Sequence, residues 1–238
     1  MYTNRHGQPV GQPLADWSPP PHPPRVVLSG HYCRVEPIDQ AVHAAALYAA
    51  NQLDTCGEGW TYLSLEPFTD FESYRRWVES VQSGADPMFH AIIDLATGGA
   101  VGVATYMRID PKGGVIEVGN LRFSPLMQRS RVATEAMYLM MKQAFALGYR
   151  RYEWKCDALN APSRAAAQRF GFSYEGLFRQ ATVYKGRNRD TAWYSIIDTE
   201  WPALDKAFTR WLATENFGPN GRQIVSLSAL TAPLRAVG

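Results

Sequence analysis

The chain has 238 residues, 46% hydrophobic and 19% charged, with a formal net charge of +2. That length suits one generous domain or one domain with extensions, the composition suits a soluble globular protein, and so small a positive excess excludes a nucleic-acid binder that lives on electrostatics. The three cysteines, Cys33, Cys56 and Cys156, are odd in number and have no metal-ligand spacing, so reduced thiols in a cytoplasmic protein without a metal site are expected; no stretch has the apolar length of a membrane span and the start has no signal peptide.

Residues 1–24 hold seven of the sixteen prolines, among them Ser18-Pro19-Pro20-Pro21-His22-Pro23-Pro24, and read as a polyproline-like arm on the surface or on a neighbouring subunit. Residues 25–214 carry the periodic elements of one domain, and residues 215–238 form a tail without clear period. Arg25 to Pro37 reads as a strand or hairpin around Ser29-Gly30, and Ile38 to Leu53 as a helix capped by Asp39. Residues 56–69 are glycine-interrupted and aromatic, with Trp60 and Tyr62 after two glycines. Asp70 to Ser83 is a second helix capped by Thr69 or Asp70, with Phe71, Tyr74, Trp77, Val78 and Val81 inward. Met88 to Leu95 and Ala100 to Ile109 are strands joined at Ala96-Thr97-Gly98-Gly99.

From Val115 the pattern is a strand, a basic loop, a helix and a second strand. In the first strand Val115, Glu117, Gly119, Leu121 and Phe123 share one side, and Ile116, Val118, Asn120 and Arg122 the other. The helix stripe is Ala133, Met137, Met140, Ala144 and Leu147, with Glu135, Tyr138, Lys142 and Gln143 largely off it and Gly148 at its end. Tyr152 to Asp157 completes a βαβ unit. The connection Gln128-Arg129-Ser130-Arg131-Val132-Ala133 puts two arginines at a helix N-terminus, where unpaired N–H groups and the helix dipole favour an anion; two solvated arginines are the plain alternative. A short helix from Ala161 to Phe170, strands Tyr174 to Tyr184 and Asp190 to Ile197 around a basic Lys185–Arg189 loop, and a last amphipathic helix Glu200 to Thr214 follow. Antiparallel strands feeding one βαβ unit imply an α+β fold with a mixed sheet and helices on both faces.

Strand with a glutamate, Q-x-x-x-x-A at a helix start, Asn160-Ala161-Pro162-Ser163 after the next strand and Gly171-Phe172-Ser173-Tyr174-Glu175-Gly176: this order resembles the GNAT superfamily of acyl-CoA N-acyltransferases. The N-x-x-S…GF-x-x-EG pattern is similar to its RimJ/RimL branch, which acetylates protein N-termini and some small amines. The resemblance covers roughly residues 25–200. It implies acetyl-CoA as co-substrate and an amine acceptor as partner; charge and apolar length already argue against a nucleic-acid or membrane partner, and a homodimer is left open. It places the coenzyme phosphates on Gln128, Arg129, Ser130, Arg131, Val132 and Ala133. The pantetheine arm lies in a splay between the two central strands, with backbone N–H groups of Leu121, Arg122 and Phe123 as oxyanion donors. Asn160 orients that arm and Ser163 meets the departing thiolate, with ordinary helix capping the plain alternative for both. Trp60, Tyr62 and Asn120 are candidates for the acceptor side, with plain core aromatics the equal alternative for Trp60 and Tyr62.

Glu117, fourteen residues before Arg131, stands at the distance of the superfamily's glutamate base. Strict alternation puts it beside Val115 and Leu121, where desolvation favours proton uptake; a bulge near Gly119 turns it the other way, and pairing with an arginine makes it structural. Tyr184 is a reserve acid. The chain departs from the family pattern where Arg131 replaces the first loop glycine, Ala167 the usual tyrosine, and Thr182 the RimL-type glutamate. A succinyl donor, or a catalytically silent coenzyme-binding module, are the other readings.

Overall fold

The structure is a computed structural model that describes residues 1–236; the last two residues of the expected tail, 237 and 238, lie outside the described residues. In chain order the elements are β1 (Tyr2–Thr3), β2 (Pro9–Val10), β3 (Leu28–Ser29), β4 (Cys33–Pro37), α1 (Gln40–Gln52), α2 (Phe71–Val81), β5 (Met88–Asp94), β6 (Ala100–Asp110) and β7 (Val115–Phe123). They continue with α3 (Arg131–Ala146), β8 (Arg151–Asp157), α4 (Ala161–Arg169), β9 (Ser173–Tyr184), β10 (Arg187–Ile197), α5 (Trp201–Leu212) and α6 (Leu227–Thr231). Local side chains set the helix starts. Asp39 accepts the Ala41 and Val42 N–H groups, Asp70 that of Ser73, Ser130 that of Ala133 and Asn160 that of Ser163.

Eight strands form one sheet in the order β3-β4-β5-β6-β7-β8-β10-β9. Among the described residues only β7 and β8 pair in parallel, joined by the α3 crossover. One face buries α3 and α5 over Ile116, Val118, Met137, Met140, Trp154, Phe172 and Phe208. On the other face α1 and α2 cover β4 to β6 through Ile38, Leu47, Tyr74, Val78, Phe89 and Ile93. Each such side chain contributes about 1.5–3 kcal/mol through burial.

The helical stripe of α3 is wider than its period suggests. Glu135 and Tyr138, expected off it, are buried. Tyr138 stacks on Phe208 at 5.4 Å and donates to Asp205, while Glu135 accepts the N–H groups of His31, Tyr32 and Cys33 at 2.6–2.8 Å. Elements distant in sequence cover those positions. The β9–β10 tip is tighter than expected, since both strands extend and leave Lys185-Gly186 as the turn. The proline-rich arm runs along the domain: Pro20 and Pro23 are buried, Tyr149 donates to the Pro21 carbonyl, and Arg150 lies over the Trp17 ring. The tail packs as well, with Leu227 buried and Thr231 donating to the Arg169 carbonyl.

Candidate active site

The parallel pairing of β7 and β8 runs from Val115↔Arg151 to Val118↔Trp154 and stops there, although β7 continues to Phe123 and β8 to Asp157. What opens the seam is a bulge. Between Gly119↔Thr105 and Arg122↔Val103, β7 takes three steps against two on β6, so Asn120 and Leu121 together face Ala104. Asn120 adopts φ 48°, a left-handed conformation that asparagine tolerates better than most residues. Strict alternation therefore fails. Leu121 and Phe123 join Ile116 and Val118 against the α3 core, whereas Arg122 turns to the opposite face.

Beyond β7 the loop is anchored by Met127, which is wholly buried above Gly102; a side chain at Gly102 would collide with the Met127 sulfur. Gln128 Nε2 donates to the Phe123 carbonyl at 3.0 Å. The positive φ of this loop, 58°, falls on exposed Arg129, and Arg131 is the first residue of α3. Ser130 Oγ accepts the Ala133 N–H and donates to the Met127 carbonyl. The N–H groups of Arg131 and Val132, in the first turn, donate to no acceptor among the described residues. Half-buried Arg131 lies between two aromatic rings, 4.6 Å from the Tyr32 centroid and 4.8 Å from that of Phe217.

Across the opening stands the start of α4. Asn160 caps that helix, its Oδ1 accepting the Ser163 N–H at 3.1 Å. Ser163 Oγ accepts the Trp154 indole N–H at 3.0 Å, which leaves the serine's own proton to donate. Cys156, a neighbour of that hydroxyl, is buried and its thiol is pushed up, so it behaves as a small apolar side chain. Tyr184, expected as a reserve acid, is committed elsewhere. Its hydroxyl donates to Asp157 Oδ2 at 2.8 Å, and burial together with that carboxylate pushes it up to about 12. Its proton is held against an anion rather than presented to a leaving group.

Trp60 and Tyr62 do reach this side. Trp60 is buried with the Arg122 guanidinium 4.6 Å from its ring, and Arg122 Nη2 pairs with Asp54 at 3.1 Å. Burial lowers the Arg122 pKa while Asp54 opposes that shift. Gly59 is required here, because a side chain would strike Arg122 Nη1. Tyr62 donates to the Leu159 carbonyl at 3.1 Å, and Lys185 Nζ reaches the Trp60 carbonyl at 2.8 Å and Glu66 at 3.1 Å. The segment from Gly57 to Glu66 is thereby strapped to the β8–α4 loop and to the β9–β10 tip. Asn120 sits at the bulge, its amide 3.5 Å from Thr105 Oγ1.

Glu117 departs from the expected apolar setting. It is 3% exposed, with Oε1 2.6 Å from Arg108 Nη1 and Oε2 2.9 Å from Lys155 Nζ, the latter a charge contact rather than an aligned hydrogen bond. Lys155 also meets Glu153 at 2.7 Å and sits 3.8 Å over the Trp193 ring; Glu153 pairs with Arg151, which pairs with Glu175. A ladder of alternating charge thus crosses β6, β7, β8 and β9. The bulge moves Leu121 away from Glu117, and both carboxylate oxygens face cations. Asp54, Arg108 and Lys155 were not singled out by local pattern; Lys185 stood out only as part of the basic β9–β10 loop.

This sheet, with its parallel seam opened beside a helix start, defines a coenzyme-dependent acyltransferase fold. Residues 34–173 match the GNAT acetyltransferase domain, and the chain belongs to that family of N-acetyltransferases. A GCN5-related N-acetyltransferase from Brucella melitensis is 45% identical, with a TM-score of 0.90 over 92% of this chain and all of that one. A structure from Chromobacterium violaceum, described as a probable GNAT-family acetyltransferase, is 39% identical over 82% of this chain and 98% of that one, with a TM-score of 0.76. A curated relative from Bacillus licheniformis, described as an uncharacterized N-acetyltransferase, is 26% identical over 59% of this chain and 80% of its own length. The ribosomal-protein acetyltransferase of Salmonella typhimurium, 21% identical over 72% of this chain and 99% of that one with a TM-score of 0.61, shares the fold.

Proposed function

We propose that the protein transfers the acetyl group of acetyl-CoA to a primary amine by direct attack in a ternary complex. The observation that carries this reading is the place where β7 and β8 part. The seam opens after Val118 and Trp154, between the uncommitted N–H groups of Arg131 and Val132 and the hydroxyl of Ser163. The residues fit the coenzyme: helix-start N–H groups and Arg129 suit phosphates, and the open seam offers backbone to an extended amide-bearing arm.

In this reading the amine nitrogen bonds to the acetyl carbon, backbone N–H groups at the Leu121–Phe123 bulge receive the oxyanion, and the carbon–sulfur bond breaks as Ser163 donates to sulfur. Asn160 supports the helix start that presents Ser163. The amine's proton leaves to water, because the ladder occupies Glu117; that residue shapes the field on the acceptor side. The strap from Gly57 to Glu66, closed by Tyr62 and Lys185, favours a small amine over a folded protein surface. The test is calorimetry with acetyl-CoA and succinyl-CoA, then turnover on a panel of small amines and N-terminal peptides. Acetyl-CoA binding with acetylation of small amines is expected; no binding of either thioester would sink the proposal.

A further inference from the structure

Arg131 occupies an unusual setting for a cation beside an anion-binding helix start. No carboxylate pairs with it among the described residues. Instead its guanidinium is sandwiched between Tyr32 and Phe217, with Nη1 3.5 Å from the Tyr32 hydroxyl. A sandwiched guanidinium keeps its charge and is fixed in plane, and its in-plane N–H edge remains for binding. Both rings are themselves held. Glu135, from the next turn of the same helix, clamps the Tyr32 backbone, and the Tyr32 hydroxyl donates to the Leu212 carbonyl. Phe217 stands edge-on to Trp211 at 5.2 Å. Asn216 pins the tail by donating to the Trp211 and Val225 carbonyls and accepting the Val225 N–H.

We infer that the C-terminal tail, through Phe217, is part of the coenzyme site: it positions Arg131 to take a phosphate of the coenzyme, in place of the loop glycine that this chain lacks. The inference rests on the acyl-CoA reading above. It assigns work to a segment outside the matched domain, residues 34–173. The physical benefit is preorganisation. An arginine free in solvent loses rotamer freedom when it grips a phosphate, whereas one already stacked on two faces has lost most of it on folding.

The test is calorimetric titration of CoA into wild type, Phe217→Leu, Phe217→Tyr, Arg131→Ala and the Phe217→Leu/Arg131→Ala double variant. Leucine preserves an apolar contact with Trp211 but has no aromatic face, so thermal melts should show each variant folded. The expected result is CoA affinity three- to tenfold weaker for Phe217→Leu and near wild type for Phe217→Tyr. In the Arg131→Ala background, Phe217→Leu should cause no further loss, because the ring acts only through the guanidinium. Unchanged affinity for Phe217→Leu, or equal losses with and without Arg131, would overturn the inference while leaving the acyltransfer reading intact. Wild type that takes no CoA would remove both.

Discussion

Glu117 and Lys155 meet at 2.9 Å across the parallel seam, Lys155 being the first residue of β8 beyond the last β7–β8 pair. Both are more than nine-tenths buried. The charge ladder therefore ties the two strands together at the point where they begin to separate, and the opening is braced by ions rather than by backbone pairing.

Removing one member leaves a buried charge uncompensated, which typically costs about 3–5 kcal/mol. Lys155→Met should lower unfolding stability on that scale in urea titrations. Glu117→Gln keeps the shape but loses the charge, and should lower the melting temperature. Because Glu117 is engaged by Arg108 and Lys155, the pH dependence of kcat/KM for the surviving enzyme should superimpose on that of wild type. A profile whose acid limb moves or disappears with the substitution would restore Glu117 as the base.

The loop from Gln128 to Ala133 should carry coenzyme affinity. Replacing Arg129 and Arg131 together by alanine should weaken acetyl-CoA binding by about 1–3 kcal/mol, the scale of lost charge-assisted contacts. Calorimetry at two salt concentrations checks this, and the mutant should show the shallower salt dependence. Identical affinities would move the phosphates elsewhere.

Ser163→Ala should lower turnover at saturating acetyl-CoA more than it changes acetyl-CoA affinity, since in the proposed mechanism the Ser163 proton acts only as sulfur departs. The same change strands the Trp154 indole N–H, a buried donor worth about 1–3 kcal/mol when unpaired, so some loss of stability accompanies it. Full turnover in the mutant would reduce Ser163 to a partner of Trp154.

His90 sets an acid limit on stability. It is 2% exposed on β5, and burial, reinforced by the charge of Arg25, pushes its pKa down to about 4. The unfolded chain takes up this proton near pH 6.5 and the folded chain only near 4, so stability falls as pH drops through that window and is unaffected above it. The full change is about 3 kcal/mol. Chemical denaturation between pH 7 and 4 should show this slope, and His90→Gln should flatten it. Equal slopes in both proteins would assign the acid sensitivity to carboxylates instead.

Local chemistry wrote much of the fold into the chain. Period 3.6 from Ala133 to Leu147, period 2 before Gly119, and the caps Asp39 and Asp70 are interactions within a few residues, so they can be read without knowing what packs where. The loop–helix junction at 128–133 and the start of α4 at Asn160 were legible for the same reason. The fate of Glu117 was not. Its partners lie nine residues before it and thirty-eight after it, and its neighbours depend on a bulge that shifts Leu121 to the other face. Likewise Glu135, polar and expected to face water, is buried because the β3–β4 turn, about a hundred residues away, offers it three N–H groups. A buried charge is tolerated only where such partners converge, and their convergence is a property of the assembled sheet and its covering helices, not of any window of sequence.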